Sequence, residues 1–487
     1  MSPDNPYVPE TAPASPLGGT HPSGITPPAV VPEDLHPSHI DEAKKRFRKT
    51  LQPESVEAVA AETGFVRRKR IITGSSVFWA LVLTLGAQCT QYISDGLRTM
   101  NAREAWSIRY KPFWNRLAQA SFPRFMRAMF ARLCRDLVSE VLKAEKNSDA
   151  AFFSDIFIDD GSSFAVADGL KKVFPGRFTK VKPAAVELHA HMSVLSDQII
   201  SVALAPDKEA ERQFLPSASS LPAGSLSLRD RGYIDLAYFE ALQERKDGPA
   251  YLVCRATDKL NPIVEELRGA PPKLARRWKG EFLQQLQKSM LRAGVDLVVS
   301  WKRPGKKTLR LRLVVRHQKP KAKRRTRGKK RERLTVKEQR YAAKNQFAFL
   351  LTNLPERFSA DAIMRLYRVR WQVELAFKEW KSYANLHALQ SENPSIVEGF
   401  IWASLCAALI KRALAHWAQL THGRPISVRI AAQSGPQLLP MLIDWIEGVA
   451  ASAFDEIMAF LAENARRTHP RRDERRPHRT LGLKWAT

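Results

Sequence analysis

The stretch YRVRWQVELAFKEWK, from Tyr367 to Lys381, sets one carboxylate, Glu374, between two cations, Arg370 and Lys381, and near the phenol of Tyr367. At about 100° per residue these four side chains fall within about 60° of one another on a helix. Leu366, Val373, Phe377 and Trp380 form an apolar stripe beside them. Such a row suits an ordinary solvated face, with Arg370 and Glu374 as an i,i+4 ion pair. It equally suits a metal-binding carboxylate set among phosphate grips, because Arg binds phosphate bidentately, Lys supplies a point charge and Tyr donates a hydroxyl. Metal-assisted phosphoryl transfer needs more than one acid, since two hard cations about 3.5–4 Å apart demand several carboxylates.

Two further carboxylates lie on stretches that read as strand ends. In IFIDDGSS, Asp160 is in phase with Ile156 and Ile158 and so extends a buried face, whereas Asp159 shares its face with Phe157 and Asp155. Asp160 is the preferred first acid, and Asp159 stays beside it as the alternative. In SLSLRDRGY, Asp230 follows Leu226 and Leu228 in phase; a plain polar turn is the other reading of that segment. ELHAH puts Glu187, His189 and His191 on one strand face. No third histidine or cysteine stands at a useful spacing for zinc, which predicts partly exposed strand histidines.

The elements that must hold these groups show in the texture of the chain, whose 487 residues suit two to four domains. Residues 1–39 are Pro-rich and predict a disordered tail. Residues 40–146 read as a helical region with basic clusters such as FVRRKR and RYKPFWNRL. From Asn147 the runs FFSDIFIDD, AAVELHAHMSVL, QIISVALA, GSLSLRD and AYLVCR read as strands, with helices near 234–245 and 359–385. That pattern predicts an α/β core in two parts, 147–255 and 346–390. A basic, partly β insertion at 256–345 separates them and holds the strand TLRLRLVVRH and the charged run KPKAKRRTRGKKRER. An apolar helical region, 391–465, and a basic tail, 466–487, complete the chain.

Composition narrows the partners. The 78 Lys+Arg against 49 Asp+Glu give a net charge of +29, which calls for a polyanion, most often nucleic acid. The longest uncharged stretch, Thr73–Ser94, is strongly apolar over only about half a membrane span and predicts a buried helix. Cys89, Cys134, Cys254 and Cys406 form no CxxC or Cys/His zinc spacing and read as buried thiols of a reducing compartment.

Tyr367, Arg370, Glu374 and Lys381 reproduce the pattern Y-x2-R-x3-E-x6-K. In this the chain resembles bacterial insertion-sequence DDE transposases, the insertion-sequence-4 family in particular. DGSS, DRGY, LLTNLP and ENP are similar to that family's other motifs, over roughly residues 60–390. The resemblance implies an RNase H-like catalytic core interrupted by the basic insertion and flanked by the N- and C-terminal helical regions. It implies Asp160, Asp230 and Glu374 as catalytic residues and metal ligands around two Mg²⁺ or Mn²⁺ ions, with Tyr367, Arg370, Lys381 and Trp371 on DNA. Trp371 would be a stacking platform for an extruded base. A tryptophan serving that purpose in one relative, just ahead of its LLTNLP-like element, is replaced here near Ala348, between Phe347 and Phe349, which leaves the hairpin route open.

The partners so implied are double-stranded DNA, as terminal inverted repeats read by region 40–146 and as target, and a second copy of the chain in a synaptic homodimer. No membrane is implied, and the expected location is the bacterial cytoplasm, on the nucleoid when bound. The expected function is binding of terminal inverted repeats, then metal-dependent strand cleavage and strand transfer. A catalytically inactive, domesticated DNA-binding protein and an RNase H-like nuclease without strand transfer are its rivals.

Between Lys302 and Arg340 nineteen cations face two acids, too many to pair within the protein. Deleting 319–333 is expected to leave the thermal midpoint unchanged and to weaken binding to terminal-repeat and random duplexes alike, most at low salt. A salt series on both duplexes checks this; a loss confined to the terminal repeat would mean that the run reads bases.

Overall fold

Short apolar runs with a period of two build one mixed sheet. In the computed structural model, residues 37–68, 71–87, 93–286, 292–302, 305, 307–317, 346–383, 391–466 and 479–486 are described. The Pro-rich tail up to residue 36 and the basic run 319–333 lie outside them.

Six helices come first: α1 (Pro37–Leu51), α2 (Pro53–Glu62), α3 (Gly74–Gly86), α4 (Ile93–Glu104), α5 (Tyr110–Leu117) and α6 (Ser121–Leu137). The strands β1 (Leu142–Ala144), β2 (Ile156–Ala165), β3 (Ala185–Ser193), β4 (Gln198–Pro206) and β5 (Leu226–Arg229) follow. Next are α7 (Leu236–Gln243), β6 (Tyr251–Ala256), β7 (Ile263–Leu267), α8 (Pro272–Trp278), β8 (Val295–Trp301), β9 (Leu309–His317) and β10 (Phe347–Thr352). The remainder is α9 (Ala360–Arg368), α10 (Gln372–Tyr383), α11 (Pro394–His422), α12 (Val428–Gln433), α13 (Gly435–Ile446), α14 (Ala453–Asn464) and β11 (Leu483–Trp485).

Nine strands form one sheet in the order β4-β3-β2-β5-β6-β10-β9-β8-β7. The strands β4, β3 and β2 are antiparallel, β2, β5 and β6 run parallel, and the rest return to antiparallel pairing. The strands of the basic insertion therefore continue the sheet that carries the candidate acids. Alternation divides the side chains between two cores. Ile156, Ile158, Leu226, Leu228, Val253 and Leu350 join the helical core. Leu252, Cys254, Leu313, Val315, Phe349 and Leu351 pack into the other. Both faces are thus covered.

The uncharged stretch from Thr73 becomes the buried helix α3, and Thr73 caps it, its side chain accepting from Ser76 N–H. Where a basic tail alone was expected, Leu483–Trp485 pairs with β1, because its apolar Leu and Trp can be buried on one face. Helix α11 is long and apolar enough to cross a membrane, yet most of it is buried inside the protein. Asn393 caps its first turn and Gly423, at φ 58°, ends it in the left-handed region.

Helix α11 presses against α6 through Gly399, where an added Cβ would meet the Phe122 ring at 2.0–2.7 Å. Gly399→Ala is expected to destabilise the protein by about 1–3 kcal/mol through overpacking. Urea unfolding measures it, and Phe122→Leu in the same chain should restore part of the loss.

Candidate active site

Pairing register brings the first two acids together. Asp159 lies opposite Arg229 across the parallel pair β2/β5, so Asp160 and Asp230 follow side by side where β5 ends. The two adjacent aspartates then part company, since successive side chains point to opposite faces. Asp159 is buried, and Arg229 Nε donates to its Oδ2 at 2.7 Å while His191 Nδ1 lies 2.6 Å from Oδ1. Burial alone would raise its pKa, but Arg229 and His191 overcome that and hold it at about 2. Arg229, 0 % exposed, also donates to Tyr238 Oη at 2.8 Å.

Asp160 points the other way, into a pocket of about 480 Å³ that it lines together with Asp230, Glu374, Arg370 and Lys381. Burial raises its pKa to about 6; Arg370 opposes the rise, and the Asp230 and Glu374 carboxylates add to it. Asp230 accepts from Tyr367 Oη at 3.2 Å, with Arg255 Nη1 3.8 Å away. The Arg370 guanidinium bridges two of the acids: Nη1 bonds Asp160 Oδ2, and Nη2 donates to Glu374 Oε1 at 3.1 Å.

The helix expected over Tyr367–Lys381 is not continuous. A 3₁₀ turn at Val369–Trp371 separates α9 from α10. The apolar stripe survives the break, with Leu366, Val373, Phe377 and Trp380 all buried. Lys381 Nζ donates to Ser163 O at 2.9 Å. Seven helical residues from Glu374 to Lys381 rise ~10 Å, and three strand residues from Asp160 to Ser163 span ~10 Å, so α10 runs alongside β2. Trp371 is 52 % exposed, while Ala348 and Phe349 are buried in the sheet.

The supporting roles of several residues escaped the sequence reading. A Cβ at Gly161 would meet Glu187 Oε1 at 2.7 Å and Tyr233 Oη at 3.1 Å, so a side chain there would have to displace the Glu187 carboxyl. Of the strand histidines expected to be partly exposed, His191 is so, but His189, 5 % exposed, is buried: it stacks on Phe214 and contacts Tyr233 Oη at 3.2 Å. Burial, then Arg177, lowers its pKa to about 4. On α11, Arg412 donates to Glu379 of α10 at 2.9 Å and to Asp197 O at 2.7 Å, which fixes the helix that carries Glu374. In the LLTNLP segment, Asn353 accepts from Leu252 N–H at 2.8 Å and donates to Ala250 O at 2.9 Å, tying the end of β10 to β6. Arg229 left one signal, a lone cation closing the short strand that leads to Asp230; the others depend on pairings no spacing encodes.

The family model described as transposase DDE domain matches residues 151–410, more than half of the chain. The chain belongs to that family. Its curated relatives include the transposase for insertion sequence element IS231C of Bacillus thuringiensis subsp. berliner, 25% identical over 379 residues, covering 74% of this chain and 77% of that one. The transposase for insertion sequence element IS1151 of Clostridium perfringens is 21% identical over 382 residues, covering 76% and 80%. A piggyBac transposase chain from a synaptic complex with hairpin DNA aligns over 87% of this chain and 85% of that chain, at TM-score 0.42 and 10% identity, too loose a likeness to bear on the fold. The protein is thus a DDE transposase, an enzyme of a family that generally depends on a divalent metal.

Among the described residues no group of three or more His, Cys, Asp or Glu side chains is gathered closely enough to hold a metal ion as it stands. The donor chemistry nonetheless fits one. Asp160, Asp230 and Glu374 line one pocket and offer only carboxylate oxygens, which suit Mg²⁺ or Mn²⁺. The Arg370 guanidinium is the cation that now stands between two of them.

Beside the pocket, Glu187 is held at a pKa of about 7, raised by burial and by Glu211, against the pull of Arg177. Its folded value stands above the ordinary 4.5, so the stability it contributes is full below about pH 4 and is lost as pH rises through 7. Glu187→Gln is expected to match the parent at pH 4 and to melt higher than the parent at pH 8. Thermal midpoints across pH 4–9 check this, and parallel curves for the two proteins would contradict it.

Proposed function

We propose that Asp160, Asp230 and Glu374 are the catalytic carboxylates of a transposase that cuts the ends of its own insertion sequence and joins them to target DNA. The observation that carries this reading is the Arg370 bridge between Asp160 and Glu374, with Asp230 in the same pocket. Asp160 is preferred to Asp159 because both oxygens of Asp159 are already engaged. The strand order, an antiparallel trio continued by parallel strands, supports an RNase H-like core.

Two Mg²⁺ or Mn²⁺ ions held by these three acids would activate water or a 3′-hydroxyl and stabilise the leaving oxygen. The chain's own groups supply the positioning. Arg370 and Lys381 hold the phosphate and Tyr367 adds a donor, while its bond to Asp230 orients that acid. Trp371, half exposed and next in sequence to Arg370, offers a face on which a base can stack. The helices of residues 40–146 read the terminal repeat, and two copies pair for synapsis.

The test incubates the purified chain with Mg²⁺ and duplexes bearing the repeats that flank its gene. Asp160→Ala, Asp230→Ala and Glu374→Ala should each reduce cleavage to background and leave end binding near that of the parent. Arg370→Ala and Lys381→Ala should lower the salt slope of binding by about 0.9 per lost phosphate contact. Full activity in one of the acid variants removes that residue from the site, and Asp159 is then next. Nicking without joining would indicate a nuclease, and binding without cutting an inactive DNA-binding protein.

A further inference from the structure

The connection from β2 to β3 ends in a small turn braced by its own backbone. Gly176 N–H donates to Pro183 O at 3.0 Å, and Phe178 O accepts from Val181 N–H at 2.9 Å and Lys182 N–H at 2.7 Å. Only glycine closes it, because a Cβ at Gly176 would fall 2.0 Å from the Lys182 carbonyl oxygen. Arg177 pins its base: the backbone N–H donates to Asp207 Oδ2 at 2.9 Å, and Nη2 donates to Glu187 Oε2 at 3.0 Å.

A turn held this firmly does not need its apolar side chains for closure, and it does not bury them. Phe178 is 65 % exposed and Val181 80 %. Lys171, Lys172, Lys180 and Lys182 stand exposed around them. The turn also borders the active site. The Glu187 carboxyl that Arg177 holds also lies against Gly161, 2.7 Å from where a Cβ would stand, and Gly161 lines the pocket.

Nucleic acid is the partner that offers both halves of this surface, phosphates to the lysines and base faces to the phenyl ring. A second copy of the chain, itself at +29, offers the lysines no such complement. We propose that the Gly176–Pro183 turn grips duplex DNA beside the reacting phosphate, with Lys180 and Lys182 on the backbone and Phe178 wedged against an unstacked base step. This deepens the proposed function and rests on DNA being the substrate of the site. At ~3.3 Å per strand residue, the turn lies beyond Ser163 on the order of three to five base pairs from the phosphate at Arg370.

The test uses the full chain, Mg²⁺ and the flanking-repeat duplex carrying 2-aminopurine at successive positions one to eight pairs from the cleavage site. The parent should brighten the probe at one or two positions within that window. Phe178→Ala with Val181→Ala should abolish the brightening and cut cleavage about tenfold with the salt slope unchanged, and Phe178→Trp should retain both. Lys180→Gln with Lys182→Gln should instead lower the salt slope by about two. An active parent whose turn variants bind, brighten and cut as it does would sink this proposal and leave the function standing. So would variants that change only the mass of the assembly in light scattering, which would mark a protein contact. A parent that binds no duplex would sink both.

Discussion

Crowding of negative charge at one pocket is the constraint around which this protein is arranged. Three carboxylates line that pocket, Asp160 largely buried and Asp230 and Glu374 part exposed, and they repel one another unless a cation stands among them. Arg370 is that cation here, and its bridge from Asp160 to Glu374 links the strand that carries one acid to the helix that carries the other. Everything nearby sets that bridge in place: the parallel β2/β5 register, the 3₁₀ turn before α10, and the Arg412 anchor behind it.

The adjacent pair Asp159–Asp160 divides a buried tie from a pocket-lining acid over a single peptide unit. Asp159 spends its charge on Arg229 and His191 and ties β2 to its neighbours on both sides. Breaking such a buried pair by removing one partner is costly, of order 3–5 kcal/mol. Asp160 is left with its pKa raised, because burial outweighs the Arg370 guanidinium bonded to it. Strand alternation alone makes the difference.

Local pattern revealed most of the strands, the buried α3 and the core stripe through Val373, Phe377 and Trp380, because periodicity is a local property. It also placed Asp160 and Asp230 in phase with apolar neighbours, and the fold brings them to one pocket. The 3₁₀ break at Val369–Trp371 was hidden, since its residues suit a helix and keep right-handed dihedrals. The buried state of His189 and the Arg412–Glu379 link were hidden as well, because both depend on which distant segments meet. Polar partners far apart in sequence leave no period to detect.

Lys411, buried on α11, donates to Gly86 O at the end of α3 and to Ala432 O in α12, both at 2.9 Å. Helix α3 is made early in synthesis, while the side chain that satisfies its last carbonyl lies 325 residues later. During translation the N-terminal helices must therefore wait, with that end unsealed, until most of the catalytic sheet has left the ribosome. The N-terminal helical region is thus among the last parts to be completed, and a truncated chain lacking α11 would lack a finished end to α3 as well.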